Sequence, residues 1–212
     1  MVQGILEHRK YTYINSGAVY EGQWLQGFRH GFGKMTFNDG ATYEGEWYLG
    51  QAHGEGKFTH TAGETYEGEW VDNMRQGKGI SSHMNGGKYE GQWRKNAQEG
   101  IGVENWPDKS YFRGTYADGK KNGFGKYKWS DGASYEGNWV DSKINGFGTY
   151  RWSDDREFTG EWVNCKIGGF GLYTWADGRR YEGFFARDKR QGYGIYMMPD
   201  HNTYSGSWLN GK

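Results

Sequence analysis

The chain has 212 residues, of which 39 are aromatic, 38 are Gly and only 18 are Leu, Ile or Val, so an ordinary aliphatic core is excluded. With 2 Pro it is neither collagen-like nor a Pro-rich coil, and Lys plus Arg equals Asp plus Glu at 26 each, so no global field draws it to nucleic acid or acidic lipid. There is no apolar run long enough for a signal peptide or a spanning helix, and Cys165 has no second cysteine to pair with, which together imply a soluble cytoplasmic protein.

Residues 1–9 read as an N-terminal extension, and a first strand is expected near Lys10 to Asn15. From Tyr20 the chain repeats with a period of 23, the units opening at Tyr20, Tyr43, Tyr66, Tyr89, Phe112, Tyr135, Phe158, Tyr181 and Tyr204. Such a period marks a single array, residues 10–212, in which each unit leans on its neighbours; the last unit is incomplete.

Numbering each unit from zero at that aromatic, position 2 is always Gly. Position 4 is Trp24, Trp47, Trp70, Trp93, Trp139, Trp162 or Trp208, with Tyr116 and Phe185 in the remaining units. Positions 11 and 13 are Gly in all eight complete units, while position 15 is often Tyr and position 17 Phe or Trp. Alternation by two is strand periodicity, so each unit reads as two short strands with the rings on one face. Turn residues fill both gaps, as in Gln26-Gly27 and Asp118-Gly119 at positions 6 and 7. Asp39-Gly40 and Asp131-Gly132 do the same at positions 19 and 20.

The fold class is therefore all-β: an elongated, single-layer antiparallel β-meander of tandem 23-residue hairpins, gently twisted. Eighteen strands at ~4.8 Å spacing span about 85 Å. Keeping the rings on one face pairs position 4 with 11, 2 with 13 and 0 with 15 inside a hairpin. Between units, 13 meets the next 4 and 17 the next 0, so Trp47 is expected between Gly54 and Gly33. The glycines give the indoles room, and the seven Trp of position 4 form a structural ladder.

Tyr-Glu-Gly-Glu-Trp at 43–47 and 66–70, His-Gly-Glu-Gly-Lys at 53–57 and Asp-Gly-Ala-Ser-Tyr-Glu-Gly at 131–137 closely resemble the MORN repeat (membrane occupation and recognition nexus). The resemblance runs from about Lys10 to Lys212. It implies a non-enzymatic scaffold that links cytoskeletal, axonemal or cell-division assemblies, in some relatives beside membranes. The fifth unit, Phe112-Arg113-Gly114-Thr115-Tyr116, departs most from the pattern, and a local bend or seam is expected there.

Catalytic, cofactor and metal sites find no support. Glu21 and Glu44 face Lys34 and Lys57 across their hairpins, which reads as a solvated charge ladder rather than acid–base chemistry. The recurring Gly-x-Gly steps lack the strand-to-helix setting of a phosphate loop, and the six His have no metal-like spacing. Cys165 at a turn tip reads as an inert thiol.

Two features point to partners. Phe124, Phe147, Phe170 and Tyr193, all at position 12, form an apolar stripe on the face opposite the Trp, with Leu172 and Ile195 beside it. Such a stripe is either a protein-binding surface or the lining of a core closed by coiling. One loop edge carries Lys120, Lys121, Lys143, Lys166, Lys189 and Arg190, facing an edge with Asp108, Asp131, Asp154, Asp155, Asp177 and Asp200. Solubilising charge is the plainer reading of the lysines; an acidic partner or anionic phospholipid is the alternative. Exposed end strands invite end-to-end self-association. The leading expectation is a scaffold docking cytoskeletal or axonemal proteins, a cilium or flagellum being one such setting; the alternative is a membrane-contact adaptor.

Overall fold

The computed structural model describes residues 4–212; residues 1–3 of the N-terminal extension lie outside the described residues. Among the described residues there are eighteen strands and no helix. The chain divides into two compact units between Pro107 and Asp108, just ahead of the divergent fifth repeat.

The first unit holds β1 (Glu7–Thr12), β2 (Val19–Leu25), β3 (Phe28–Thr36), β4 (Thr42–Tyr48), β5 (Gln51–Thr59), β6 (Thr65–Val71), β7 (Met74–Ser82), β8 (Lys88–Arg94) and β9 (Ala97–Asn105). The second holds β10 (Tyr111–Ala117), β11 (Lys120–Lys128), β12 (Ser134–Val140), β13 (Lys143–Arg151), β14 (Glu157–Val163), β15 (Lys166–Thr174), β16 (Arg180–Ala186), β17 (Lys189–Met197) and β18 (Thr203–Trp208). Within each unit every strand pairs antiparallel with its chain neighbours, giving a single-layer meander. The strand expected near Lys10 to Asn15 begins earlier, at Glu7. Gly17 N donates to Tyr13 O at 2.7 Å, so Ile14, Asn15 and Ser16 belong to a turn.

Turn chemistry follows the residue types. At positions 6 and 7 both residues have positive φ, as at Asp72 (52°) and Asn73 (64°) or Asp141 (48°) and Ser142 (62°), the twist that suits a two-residue hairpin. Most of these turns also tie to the preceding repeat: Asn73 N donates to Ala52 O, and Asn73 Oδ1 accepts from Ala52 N at 2.8 Å. In the other turn an Asp accepts the N–H two residues on, as in Asp39 with Ala41 and Asp131 with Ala133, both at 2.9 Å.

Register departs from expectation in a consistent way. Tyr43 pairs with Phe58, Glu44 with Lys57 and Gly45 with Gly56, so positions 0, 1 and 2 meet 15, 14 and 13. Trp47 then pairs with Ala52, not Gly54, leaving Glu46 opposite a bulge formed by His53, Gly54 and Glu55. Gly54 has φ +65°, and a Cβ there would lie 2.6 Å from the Glu46 carboxylate. The side chain at position 3 holds the bulge by accepting the N–H of position 12. Gln23 does so for Phe32 at 2.7 Å, Glu69 for Lys78 at 2.7 Å and Gln92 for Ile101 at 3.1 Å.

Because the bulge absorbs two residues, pairing between repeats is also shifted by two: Gly31 meets Trp47, Gly33 meets Gly45 and Met35 meets Tyr43. Glycines at positions 2 and 13 thus fall in one row across the strands. That trough is filled by the phenol of position 0 and not by the indole: a Cβ at Gly56 would sit 2.3 Å from Tyr43 Oη. Trp47, expected between Gly54 and Gly33, lies instead beside Ala52 and Gly31 and donates from Nε1 to Gly33 O at 3.0 Å.

Within each unit the resulting core is an edge-to-face ladder. Tyr20 touches Trp24 and Trp47 at 5.1 and 5.3 Å, and Tyr43 touches Trp47 and Trp70 at 5.0 and 5.2 Å. Trp24, Trp47, Trp70, Trp93, Trp139 and Trp162 are buried, and Trp208 is half-buried. The buried tyrosine hydroxyls donate to the carbonyl at position 3, as Tyr43 does to Glu46 O at 2.9 Å and Tyr135 to Asn138 O at 3.0 Å.

The charge ladder runs between repeats. Glu21 and Lys34 do face one another in the backbone register, but the ion pairs are Lys34–Glu44 and Lys57–Glu67, each at 3.4 Å, and Lys126–Glu136 at 3.3 Å. They are exposed, so each contributes about 0–1 kcal/mol.

Candidate functional site

Position 12 follows the bulge glycine and projects on the face opposite the ring ladder. There Phe124, Phe147 and Tyr193 are 59%, 60% and 59% exposed and Phe170 is 44% exposed, with Leu172 and Ile195 also exposed. This face is open to solvent. Phe124 and Phe147 flank a shallow depression of about 370 Å³ whose other walls include Glu136, Thr149 and Arg151. The neighbouring charges are already satisfied, Glu136 by Lys126 at 3.3 Å and Arg151 by Glu157 at 2.7 Å. Around this depression the two Phe rings are the large uncompensated surface.

One member of this surface escapes a reading confined to position 12. Phe184 stands at position 3, where other repeats carry the polar residue that caps the bulge, and it packs on Phe170 with ring centroids 5.3 Å apart. The signal was present in the repeat: aligned with Gln23, Glu46, Glu69, Gln92, Thr115, Asn138 and Glu161, Phe184 breaks a polar column. Phe32 likewise occupies position 12 of the first repeat, but its depression is lined by Glu44, Glu55, Lys57 and Glu67.

The cations proposed as one edge separate into two groups. Lys120, Lys143, Lys166 and Lys189 open β11, β13, β15 and β17 and are exposed, and Lys120 pairs with Asp141 at 3.2 Å. Lys121 and Arg190 turn onto the ring face instead. Lys121 lies 5.1 Å over Phe112, and Arg190 lies 3.9 Å over Trp208 and donates to Gly211 O at 2.8 Å. The facing aspartates serve the turns: Asp108 accepts from Ser110, and Asp154 and Asp177 bind Arg156 and Arg179 at 2.8 and 2.7 Å. Hydrogen bonds from Ser110 and Arg156 hold the carboxyls of Asp108 and Asp154 below the ordinary range.

The ring face differs between the units. In the second, Tyr and Trp at positions 15 and 17 add another column of rings: Tyr127–Trp129 at 4.5 Å, Trp129–Tyr150 at 5.1 Å, Tyr150–Trp152 at 4.6 Å and Trp152–Tyr173 at 5.3 Å. In the first, the same phases carry Met35, Phe37, Phe58, His60, Ser81, His83, Glu104 and Trp106, and a groove of about 570 Å³, lined in part by Phe37, Phe58, His60, Ser81 and His83, lies against Tyr43, Trp47, Tyr66 and Trp70. Among the described residues no three His, Cys, Asp or Glu side chains converge on a metal-sized site. Cys165 is exposed in a turn where its N–H donates to Ile144 O at 2.8 Å.

The family model for the MORN repeat matches residues 20–42, 43–65, 66–88, 89–111, 112–134, 135–155, 158–179 and 181–203. Among solved structures, the TCP10 domain of Danio rerio CPAP is similar, at 12% identity over 94% of each chain with a TM-score of 0.51. The SAS-4 (dCPAP) TCP domain of Drosophila melanogaster, solved with a proline rich motif of Ana2 (dSTIL), has 10% identity over 95% of this chain and 90% of that chain, with a TM-score of 0.40. At these identities the likeness concerns the fold alone. No curated protein matches the chain.

Proposed function

Because the chain belongs to the MORN-repeat family, a family of non-enzymatic scaffold repeats that bind proteins or membranes, we propose that it is a protein-binding scaffold whose docking surface is the apolar stripe of the second unit. The observation that carries this reading is the exposure of Phe124, Phe147, Phe170 and Tyr193, reinforced by Phe184, with the charges beside Phe124 and Phe147 paired among themselves. Contiguous apolar surface of this kind has a solvation cost that a partner relieves. Cytoskeletal or axonemal proteins are the expected partners, in line with the settings where this family serves as a linker. The contrasting reading, an anionic-lipid adaptor, rests on Lys120, Lys143, Lys166 and Lys189, a sparse row spaced one repeat apart, with Lys120 already paired.

Affinity purification with mass spectrometry tests the choice. Changing Phe124, Phe147 and Phe170 to Ser should remove a defined set of partners, whereas changing the four lysines to Glu should leave it intact. Sedimentation with phosphoinositide vesicles over a salt series is the complementary measurement. Binding lost in the lysine variant and kept in the Phe variant would replace the scaffold-stripe reading with the lipid one.

A further inference from the structure

The groove of the first unit lies on the ring face, opposite the stripe, and its shape is explained by comparison with the second unit. There Tyr127 stands 6.2 Å from Trp139 and Tyr150 stands 5.9 Å from Trp162, so a phenol covers each indole. Tyr150 holds its place by pairing with Tyr135 on one side and Phe158 on the other. Ser81 has the corresponding backbone partners, Tyr66 and Tyr89, but brings only a hydroxymethyl group. His60 and His83 stand where Trp129, Trp152 and Trp175 stand in the second unit. The empty volume, about 570 Å³, falls in the ~300–1,000 Å³ range of ligand sites. Phe37 and Phe58 also line it, so part of this volume is what larger rings in place of His60, Ser81 and His83 would take up.

One wall adds a charge. Arg75 is half-buried, donates from Nη2 to Asn96 O at 2.9 Å, and lies 4.4 Å over Trp93 and 5.5 Å over Tyr66. Among the described residues it forms no ion pair; Arg29 and Arg190, also at position 9, likewise lie over the next repeat's indole at 4.4 and 3.9 Å, but Arg75 is the one that lines this groove. A partly desolvated guanidinium without a counter-charge favours an incoming carboxylate. At the other rim, Glu64 already has His83 at 3.9 Å.

We infer that this groove is a second binding site, for an extended segment of a partner protein that inserts a Tyr or Trp ring over Ser81 and sets a carboxylate against Arg75. Arg75 and Ser81 pair with Trp70 and Tyr66, four residues apart along β6, and the guanidinium reaches back toward Tyr66. At about 3.3 Å per residue, the ring and the carboxylate are then separated by roughly two to four residues of extended chain. Both the ring and the acid are needed. The ring restores packing that the second unit makes internally, and the acid supplies the absent counter-ion.

The test uses the whole chain and short fluorescein-labelled peptides that carry Trp and Glu two, three or four residues apart, with Ala-for-Trp and Gln-for-Glu controls, read by anisotropy. At least one spacing should bind, and each control should weaken it by about tenfold. Ser81→Tyr combined with His83→Trp should abolish binding with the melting temperature kept or raised, because the added rings fill the groove as in the second unit. Arg75→Gln should bring the Glu peptide down to the Gln control and leave that control unchanged. Phe147→Ser, on the opposite face, should have no effect, which separates this site from the stripe. Failure of every spacing to bind, or full binding by the filled variant, would overturn the proposal. So would a concentration-dependent dimer that the filled variant abolishes, since the groove's occupant would then be a second copy of this chain.

Discussion

The two units share a repeat, a bulge and a ring ladder, yet they treat the ring face differently. The second unit lays Tyr127, Trp129, Tyr150, Trp152, Tyr173 and Trp175 over its primary ladder, and so covers one face with its own side chains while exposing phenylalanines on the other. The first unit has a groove beside Tyr66 and Trp70, and on the other face its second and third repeats carry Glu55 and Lys78, between Phe32 and Ile101, where the second unit has Phe124, Phe147, Phe170 and Tyr193. A few substitutions at positions 12, 15 and 17 therefore decide which face of a repeat presents apolar surface. The framework positions, 0, 2, 4, 11 and 13, hardly change. In a solenoid-like array, where each repeat contacts only its neighbours, such local choices accumulate without disturbing the rest.

Alkali should distinguish the units most strongly. Burial pushes Tyr20, Tyr89 and Tyr135 up to about 12 and raises Tyr43 and Tyr66 as well, while in the second unit it also raises Tyr150, Tyr173 and Tyr181. A tyrosine whose folded pKa exceeds its unfolded value of ~10 contributes stability that is complete below pH ~10 and is lost as pH climbs toward the folded value. The first unit has tyrosine at position 0 in four repeats, while the second has Phe112 and Phe158 at two. Its loss of structure between pH ~10 and 12, followed by circular dichroism and limited proteolysis, should precede that of the second unit. Simultaneous loss would show that the rings at position 0 do not set the difference.

Next in size is the contribution of the second column. Trp162→Ala should cost about 3–5 kcal/mol in urea unfolding, because the indole is enclosed by Tyr135, Tyr150 and Phe158. Trp70→Ala, an indole that is also buried but beside a groove, should fall toward the lower end of that range. Equal losses would mean that the added rings cover the ladder without stabilising it.

Smaller again is the phenol hydroxyl. Tyr135→Phe removes the bond to Asn138 O and should cost about 1 kcal/mol. Phe158 shows that a repeat folds without that bond, so Phe158→Tyr should be neutral or slightly stabilising in the same assay. Smallest is the surface ladder: Lys34→Ala should change stability by less than about 1 kcal/mol and become indistinguishable from the parent at high salt.

Much of this was legible along the chain. Alternation of ring and glycine identified the strands and the buried face, and Gly-containing pairs at positions 6 and 7 marked turns that do adopt positive φ. The candidate stripe was visible because position 12 changes from Glu55 and Lys78 to Phe124 and Phe147. Its partner Phe184 was not, because position 3 looks like an ordinary outward strand residue until the bulge it normally caps is known. Arg190 and Lys121 misled for a related reason: their long side chains reach rings on the adjacent strands, which charge spacing alone does not reveal.

By itself the sequence determined the period, the number of strands, their antiparallel succession and the side on which indoles and phenols are buried, since these follow from period-two alternation and local turn preference. Only the tertiary structure decided the register between repeats, which ring covers which glycine, and where the ring face stays open. Those depend on a position-3 side chain folding back onto a backbone N–H nine residues away, which releases two residues into a bulge and slides every later pairing. Pattern along a strand reports on that strand, whereas register is settled by contacts between strands.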